Sequence, residues 1–505
     1  MSDNSALEAV LDAARTQLAV WNVASASVAV IQNGETLFAG GLGMKDGNIE
    51  PADGQTLYPI ASCSKAFTAT ALGVLATEGR LDFDTPVREY IPDFRLNDAY
   101  ATEYLTIRDF LSHRSGLPRH EFAWYGTGFS RPQLMRNLKD LPLNAPVRYR
   151  WQYSNFNYLI AGALIEAVSG MPFEEFLQTR LLQPLGMNRS LVYGADHRAA
   201  ENKALPFDYA EEYTMGEVKE IPYYKSPAEN DDESGERTGD PTAAAGCIVS
   251  CAEDMIRWLK FNLDRGRAGD DQLVREDIMD LIAAPHMFLG EGGSYAPQRS
   301  SESYGLGWSI YQYRGRKMVE HGGNINGFSA TTAWLPNDGI GVYVCVNQNV
   351  SMLADAIAHS VIDSLIGEAD TDWYARLHQA NEDMFRQVAE QLRSFAGTPV
   401  EGTHPSHPAE EYAGIYEAPG YRRVLITCED GKLSLDFNHF SAPLRHFHYD
   451  VFATEAPLGE FPSGLAVPFG SSPDGKIDTV TLLLGTEQDL APIVFRKKGE
   501  ADHAG

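Results

Sequence analysis

Apolar positions recur at helical spacing from residue 6 to 20 (Ala6, Leu7, Val10 and Leu11 onward). The pattern then switches to two short runs, Ser25 to Ile31 and Thr36 to Leu42, around Gln32-Asn33-Gly34-Glu35. Asn-Gly between two such runs predicts a hairpin, because the turn needs residues that accept positive φ. Residues 52 to 60 are rich in turn formers. They lead into Ala66-Phe67-Thr68-Ala69-Thr70-Ala71-Leu72-Gly73-Val74-Leu75, which is apolar nearly all round and therefore predicts a helix buried in a domain core. Leu105 to His113 predicts a helix with Thr106 as N-cap and Gly116 just past its end, and Leu159 to Ser169 a second apolar helix. Ser250-Cys251-Ala252-Glu253 matches a capping box opening the helix that holds Trp258 and Leu259. Strand patterns return at Trp308 to Tyr313, Met318 to His321, Phe328 to Leu335 and Ile340 to Val346, followed by helices near 351–367 and 373–395.

Strands near both ends of this region, with a helical block between them, predict an α+β fold. An antiparallel sheet is completed by both termini of the domain, flanked by helices and interrupted by a helical subdomain. The expected division is a large domain over residues 1–397, a linker rich in Pro, His and Gly over 398–408, and a small domain over 409–505. The last stretch alternates short apolar runs with Gly, Pro, Asp and Asn turns, including Arg422 to Thr427, Lys432 to Phe437 and Thr479 to Leu484, the pattern of a small all-β barrel or sandwich.

Composition narrows the partners. The 505 residues carry a formal net charge of −28, which argues against nucleic acid or an anionic membrane as a ligand. Five cysteines (Cys63, Cys247, Cys251, Cys345 and Cys428) are widely spread without a Cys-x-x-Cys pair, so neither a disulfide framework nor a zinc site is expected. Cys247 and Cys251 have the spacing of one helical turn, but without nearby histidines they read as packed small residues. The first residues carry no basic start or apolar h-region, and a cytoplasmic protein without cofactor or metal is the expectation. The acidic run 229–236 reads as a solvated loop or a rim, with an amine-bearing substrate as the weak corollary.

Candidate chemistry starts at Ala61-Ser62-Cys63-Ser64-Lys65. Positions i and i+3 of a helix share a face, so the Ser62 hydroxyl and the Lys65 amine can meet. A serine hydroxyl needs a neighbour that takes its proton, and a lysine partly desolvated by the buried helix can do so. Taken alone, the pair also reads as a helix cap and a solvated amine. Cys63 would point about 100° away from Ser62 on a helix, which removes it as a rival nucleophile. Tyr153-Ser154-Asn155 stands before the second apolar helix, on an expected turn. Glu320-His321-Gly322-Gly323-Asn324 lies beside a predicted strand, where glycines admit a substrate backbone.

Ser62-x-x-Lys65, Tyr153-Ser154-Asn155 and His321-Gly322-Gly323, in that order, resemble the serine β-lactamase and penicillin-binding-protein superfamily. The closest likeness is to the class C β-lactamase-like branch with its D-aminopeptidases, alkaline D-peptidases and esterases. Leu111-Ser112-His113-Arg114-Ser115-Gly116-Leu117-Pro118 and Tyr304-Gly305-Leu306-Gly307-Trp308 also look like recurrent stretches of that branch, and the resemblance spans roughly residues 5 to 395. It implies an acyl-enzyme on Ser62, Lys65 and Tyr153 as a coupled proton-transfer pair, and Asn155 holding the substrate amide. It further implies an oxyanion hole of the Ser62 and Asn324 backbone N–H groups, beside His321 and Gly323 on the substrate's edge. His321 departs from the lysine usual in β-lactamases and turns the expectation toward an amidase or peptidase on small, D-residue-containing peptides. An esterase, lactonase, weak β-lactamase or non-catalytic binding protein are the alternatives. The final domain, with Tyr412-Ala413-Gly414-Ile415-Tyr416 near its start, resembles the lipocalin-like barrel of some members, where it covers the site mouth or builds homo-oligomers.

Overall fold

The computed structural model describes residues 3–192, 195–211, 213–223, 240–291, 293–396, 398–456, 463–483 and 492–498. The acidic run 229–236 lies outside them. Its centre is an eight-stranded antiparallel sheet in the order Met287–Gly290, Arg299–Tyr304, Ser309–Tyr313, Arg316–Ile325, Phe328–Leu335, Ile340–Val346, Ser25–Gln32, Glu35–Gly43. The N-terminal hairpin therefore completes a sheet whose other strands come from residues 287–346; Val28 lies opposite Val344 on one side and Gly40 on the other.

Both faces of the sheet's centre are buried, which explains why Ile340–Val346 and Val28–Ile31 are continuously apolar rather than alternating. Side chains still divide with period two. Val28, Val30, Val342 and Val344 pack with Leu7, Leu11, Ile357 and Val361 from the helices Asp3–Val20 and Leu353–Ile366. Ala29, Ile31, Tyr343 and Cys345 face the helical subdomain and share a core with Phe67, Leu159 and Trp258. At the middle of that second core runs the helix Ser64–Thr77, in which every residue from Ser64 to Ala76 is buried. Phe67 stacks on Trp258 with ring centres 3.7 Å apart.

Residues 414–497 close an eight-stranded barrel, with Tyr416, Val424, Ile426, Leu433, Leu435 and Phe437 inside. Ser406 and His407, in the segment expected as linker, hydrogen-bond to Asp450 and the Gly475 carbonyl of the barrel. Among the described residues no single helix is long and apolar enough to cross a membrane; one bent pair, Asn155–Ser169 with Phe173–Leu182, passes on length and composition, and its apolar side chains are largely buried in this core.

Four local expectations change. The second apolar helix begins at Asn155, four residues earlier than its apolar run, so Asn155 is the first residue of a helix and not part of a turn. The capping box at Ser250 does not form: Ser250 belongs to a strand, its hydroxyl bonds Ser190, and Cys251 takes the N-cap position without a side-chain bond. Cys247 and Cys251 are separated by that strand and do not share a helical turn. Two further strands, the short apolar edge strand Met287–Gly290 and the polar Arg299–Tyr304 beside it, extend the sheet beyond the predicted strands.

Candidate active site

The helix Ser64–Thr77 is preceded by a single 3₁₀ turn, Ala61–Cys63, with Ser62 at its centre. Ala61 holds φ at 48°, a left-handed conformation unusual for a residue with a Cβ, and it bends the chain sharply between the strand Tyr58–Pro59 and the helix. Ser62 is half-buried. Lys65, one turn on, is fully buried, and its ammonium has three acceptors: Ser62 Oγ at 3.0 Å, Asn155 Oδ1 at 2.9 Å and the Ala245 carbonyl at 2.7 Å. Burial, with the Arg119 guanidinium next in weight, brings its pKa down to about 7. The amine is therefore neutral for a substantial fraction of the time at neutral pH, which the alternative of a solvated surface lysine does not allow. Nor does Ser62 act as a helix cap, since neither flanking cap position makes a side-chain bond.

Tyr153 completes a three-residue group. Its ring centre is 4.8 Å from Lys65 Nζ, and burial pushes its pKa up against the smaller opposing effect of the Ser62 side chain. The phenol thus keeps its proton at neutral pH. Asn155 reaches Lys65 from the first turn of its helix, so the structure brings Ser62, Lys65, Tyr153 and Asn155 together.

The opposite wall is the strand Arg316–Ile325. A Cβ on Gly323 would lie 2.4 Å from the Ile60 carbonyl oxygen and 2.9 Å from the Ser62 nitrogen, so only glycine lets this strand run against the serine turn. The Asn324 side chain turns away to accept from Ser329 Oγ at 2.6 Å and from the Val350 N–H at 3.1 Å, which pins its backbone at the site edge. We expect Gly323→Ala to displace the serine turn and slow covalent labelling of Ser62 by at least about tenfold, a cost typical of misplacing a reacting group, in a protein that still melts cooperatively; probe-labelling rates with thermal melts check this.

His321 is neutral. Its Nδ1–H faces the Gly322 carbonyl at 2.6 Å, leaving Nε2 to accept from the Tyr304 hydroxyl at 2.8 Å, and burial lowers its pKa to about 3. It carries no charge with which to hold a substrate carboxylate. Cys63 is buried with its thiol pushed up to about 12 by burial and directed at the His321 carbonyl, 3.1 Å away, so it is a packing residue.

Three further residues surround the group. His113 Nδ1 accepts from the Ser154 N–H at 3.2 Å and from Asn157 Nδ2 at 3.1 Å, which fixes the proton on Nε2. Its ring lies 4.5 Å from that of Tyr153 and 5.0 Å from that of Tyr304. His113 therefore holds the loop that carries Tyr153. Tyr304 orients His321. Both lie in the stretches 111–118 and 304–308 that the resemblance rested on, so a signal for them existed. Arg119 follows Pro118 without any such signal, yet its guanidinium lies 5.6 Å from the centre of the Tyr153 ring. Gly307, at φ 80°, belongs to the same frame: a Cβ there would sit 2.8 Å from the Lys65 carbonyl oxygen, so the loop before the strand Ser309–Tyr313 can pass behind the lysine only as glycine. Among the described residues no group of three metal-ligating side chains occurs.

An antiparallel sheet backed by helices, with a buried lysine on a serine at the start of the core helix, defines a hydrolase of β-lactamase fold. The chain belongs to the Beta-lactamase family, whose model matches residues 13–365, and residues 398–497 match a domain of unknown function, DUF3471. It is 27% identical over 95% of its length to "Unguisins hydrolase ungD'" of Aspergillus campestris, covering 90% of that protein. It is 23% identical over 67% of its length to "Protein flp" of Staphylococcus aureus, covering 62% of it. Among solved structures, the octameric penicillin-binding protein homologue from Pyrococcus abyssi superposes with a TM-score of 0.60 at 21% identity, covering 98% of this chain and all of the other. SurE, also solved with D-Leu, superposes with a TM-score of 0.58 at 19% identity, covering 98% of this chain and all of the other.

Proposed function

We propose that the chain is a serine hydrolase that cleaves amide bonds of small peptides through an acyl-enzyme on Ser62. The observation that carries this reading is the Lys65 amine: buried, 3.0 Å from the Ser62 hydroxyl and with its pKa brought to about 7. The relative named as an unguisins hydrolase supports the hydrolytic class, and the D-Leu complex of SurE prompts the proposal that D-residues are accepted.

In this reading the neutral Lys65 amine takes the Ser62 proton as Oγ attacks the substrate carbonyl carbon. The Ser62 and Asn324 N–H groups receive the oxyanion. Tyr153, still protonated, gives its proton to the departing amine, and Lys65 returns the proton to Tyr153 across the short Ser62–Lys65–Tyr153 group. Water then attacks the ester with the same residues acting in reverse. Asn155 lends its amide to the substrate and, through Oδ1, fixes the direction of Lys65. The difference in proton affinity between amine and phenol supports Lys65 as the base and Tyr153 as the donor.

Because Lys65 acts as the deprotonated amine, kcat/KM should fall as pH drops through about 7, with a slope of one proton. A pH profile on aminoacyl amides checks this; a limb near 4 would assign the base to a carboxylate instead. Matched L- and D-aminoacyl amides and esters, with a chromogenic cephalosporin, separate an amidase from an esterase or a β-lactamase. The neutral His321 predicts that substrates with a free carboxylate gain no preference over their amides. A homo-oligomer is part of the proposal, prompted by the octameric homologue, and sedimentation reads it directly.

A further inference from the structure

The segment between Pro118 and Arg131 ties the two domains to one another and to the catalytic group. At one end, the Ser154 hydroxyl, beside Tyr153, donates to the Pro118 carbonyl at 3.0 Å. Beyond it the segment is gripped by the barrel. The Phe122 side chain is buried inside the barrel core, its ring 6.1 Å from that of Phe437. Asn438 donates to the carbonyls of Phe122 at 2.6 Å and Tyr125 at 3.0 Å. The His120 Nε2–H faces the Pro142 carbonyl at 2.9 Å, so its Nδ1 accepts from the Tyr421 hydroxyl at 2.7 Å, and Arg422 donates to the Thr127 carbonyl at 2.6 Å. His120 holds φ at 44°, a left-handed turn that separates the residue facing the site from those facing the barrel. Arg119 is that site-facing residue. Its guanidinium lies over the Tyr153 ring and donates to Glu121 at 2.8 Å.

We propose that the barrel is a working part of the active site: by gripping residues 120–127 it holds Arg119 on the face of Tyr153, and Arg119 is a positioning residue for the Ser62–Lys65–Tyr153 group. The inference rests on the acyl-enzyme reading above. A cation within about 6 Å of an aromatic face is attracted to it and fixes it in place, and a loop held at several points loses little further freedom when substrate arrives.

Charge gives this arrangement a signature that packing alone would not. The groups facing Lys65 are Arg119, Glu121, Cys63, Cys247, Tyr153, Tyr158, His113 and His321. Of these, Arg119 lowers the proton affinity of Lys65 and of Tyr153, and Glu121 raises both. Arg119→Ala and Glu121→Gln should therefore act in opposite directions.

The test uses the full chain and a fluorophosphonate probe, with Ser62→Ala as the unlabelled control, so that no substrate need be known. Arg119→Ala should slow labelling about tenfold at pH 7, the order of loss from misplacing one group, and move the acid limb of the rate–pH profile up by about one unit, the size expected for one charge removed at roughly 10 Å. Arg119→Lys should restore most of both. Glu121→Gln should move the limb down. Asn438→Ala, on the barrel, should shift the limb in the direction of Arg119→Ala; Tyr421→Phe, which deletes a single hydroxyl, gives the same reading if Asn438→Ala does not fold. Folded Arg119→Ala with wild-type rate and limb, or both charge variants moving the limb the same way, would overturn the role of Arg119. Wild-type behaviour of both barrel variants would overturn the role of the barrel. A wild-type protein that takes no label at Ser62 would instead remove the acyl-enzyme reading.

Discussion

Replacing Lys65 by Met should lower kcat/KM by about 10³–10⁴, equivalent to about 4–5.5 kcal/mol of transition-state stabilisation, while leaving the fold in place. Met has nearly the length of Lys and suits the buried helix, so the substitution removes chemistry rather than volume. What it removes is the group 3.0 Å from Ser62 Oγ that can accept a proton near neutral pH. Lys65→Arg should be about as inactive, because a guanidinium keeps its proton at any accessible pH and cannot serve as the base. The pair separates a base from a positive charge: were Lys65 needed only to hold a charge beside Ser62, Arg would restore activity. Steady-state kinetics on an aminoacyl amide, with thermal melts of both variants, read the outcome. Activity in Lys65→Arg within tenfold of wild type would contradict the base assignment.

Tyr153→Phe should cost about 10²–10³ in kcat with a smaller change in KM, the range for losing a positioned proton donor. The ring stays, and with it the contacts to His113, Arg119 and Lys65, while the hydroxyl is lost. Its raised proton affinity makes the phenol a donor at neutral pH, so the deficit should grow with the basicity of the leaving group. Amides should suffer more than activated aryl esters, whose leaving groups depart without protonation. Comparing the two substrate classes in Tyr153→Phe against wild type checks this, and an equal loss on both would assign the hydroxyl to orienting Ser62 instead of protonating the leaving group.

Much of the frame can be read from residue order. Phe328–Leu335 and Ile340–Val346 have the limits their patterns predict, because central strands buried on both faces hold no charged residue. The Asn33-Gly34 hairpin follows from turn chemistry, with Asn33 at φ 52° and Gly34 at 82°. The strand Arg299–Tyr304 opens with five polar residues in succession and has no apolar run, so only its pairing with Met287–Gly290 and Ser309–Tyr313 makes it a strand. Asn155–Tyr158 precede the apolar run of their helix, and tertiary contacts to Lys65 and Leu111 decide their conformation. The candidate site shows the same division. Ser62, Lys65, Tyr153 and the glycines at 322–323 are spaced as motifs, whereas the neutrality of His321 depends on its burial and on the nearby Lys65. Arg119 depends on Tyr153 and on barrel residues some 300 positions away, as the His120–Tyr421 bond shows. A position whose role exists only through such partners leaves no pattern in a single chain.

In the proposed mechanism Ser62 carries the acyl group. Mass spectrometry of the intact protein and its peptides after incubation with a fluorophosphonate, and separately with a slowly released β-lactam, measures it directly. One stoichiometric adduct is expected on the peptide containing Ser62, absent from Ser62→Ala and strongly retarded in Lys65→Met. Catalytic turnover of an aminoacyl amide by Ser62→Ala, or an adduct on Cys63 or another residue in its place, would contradict it.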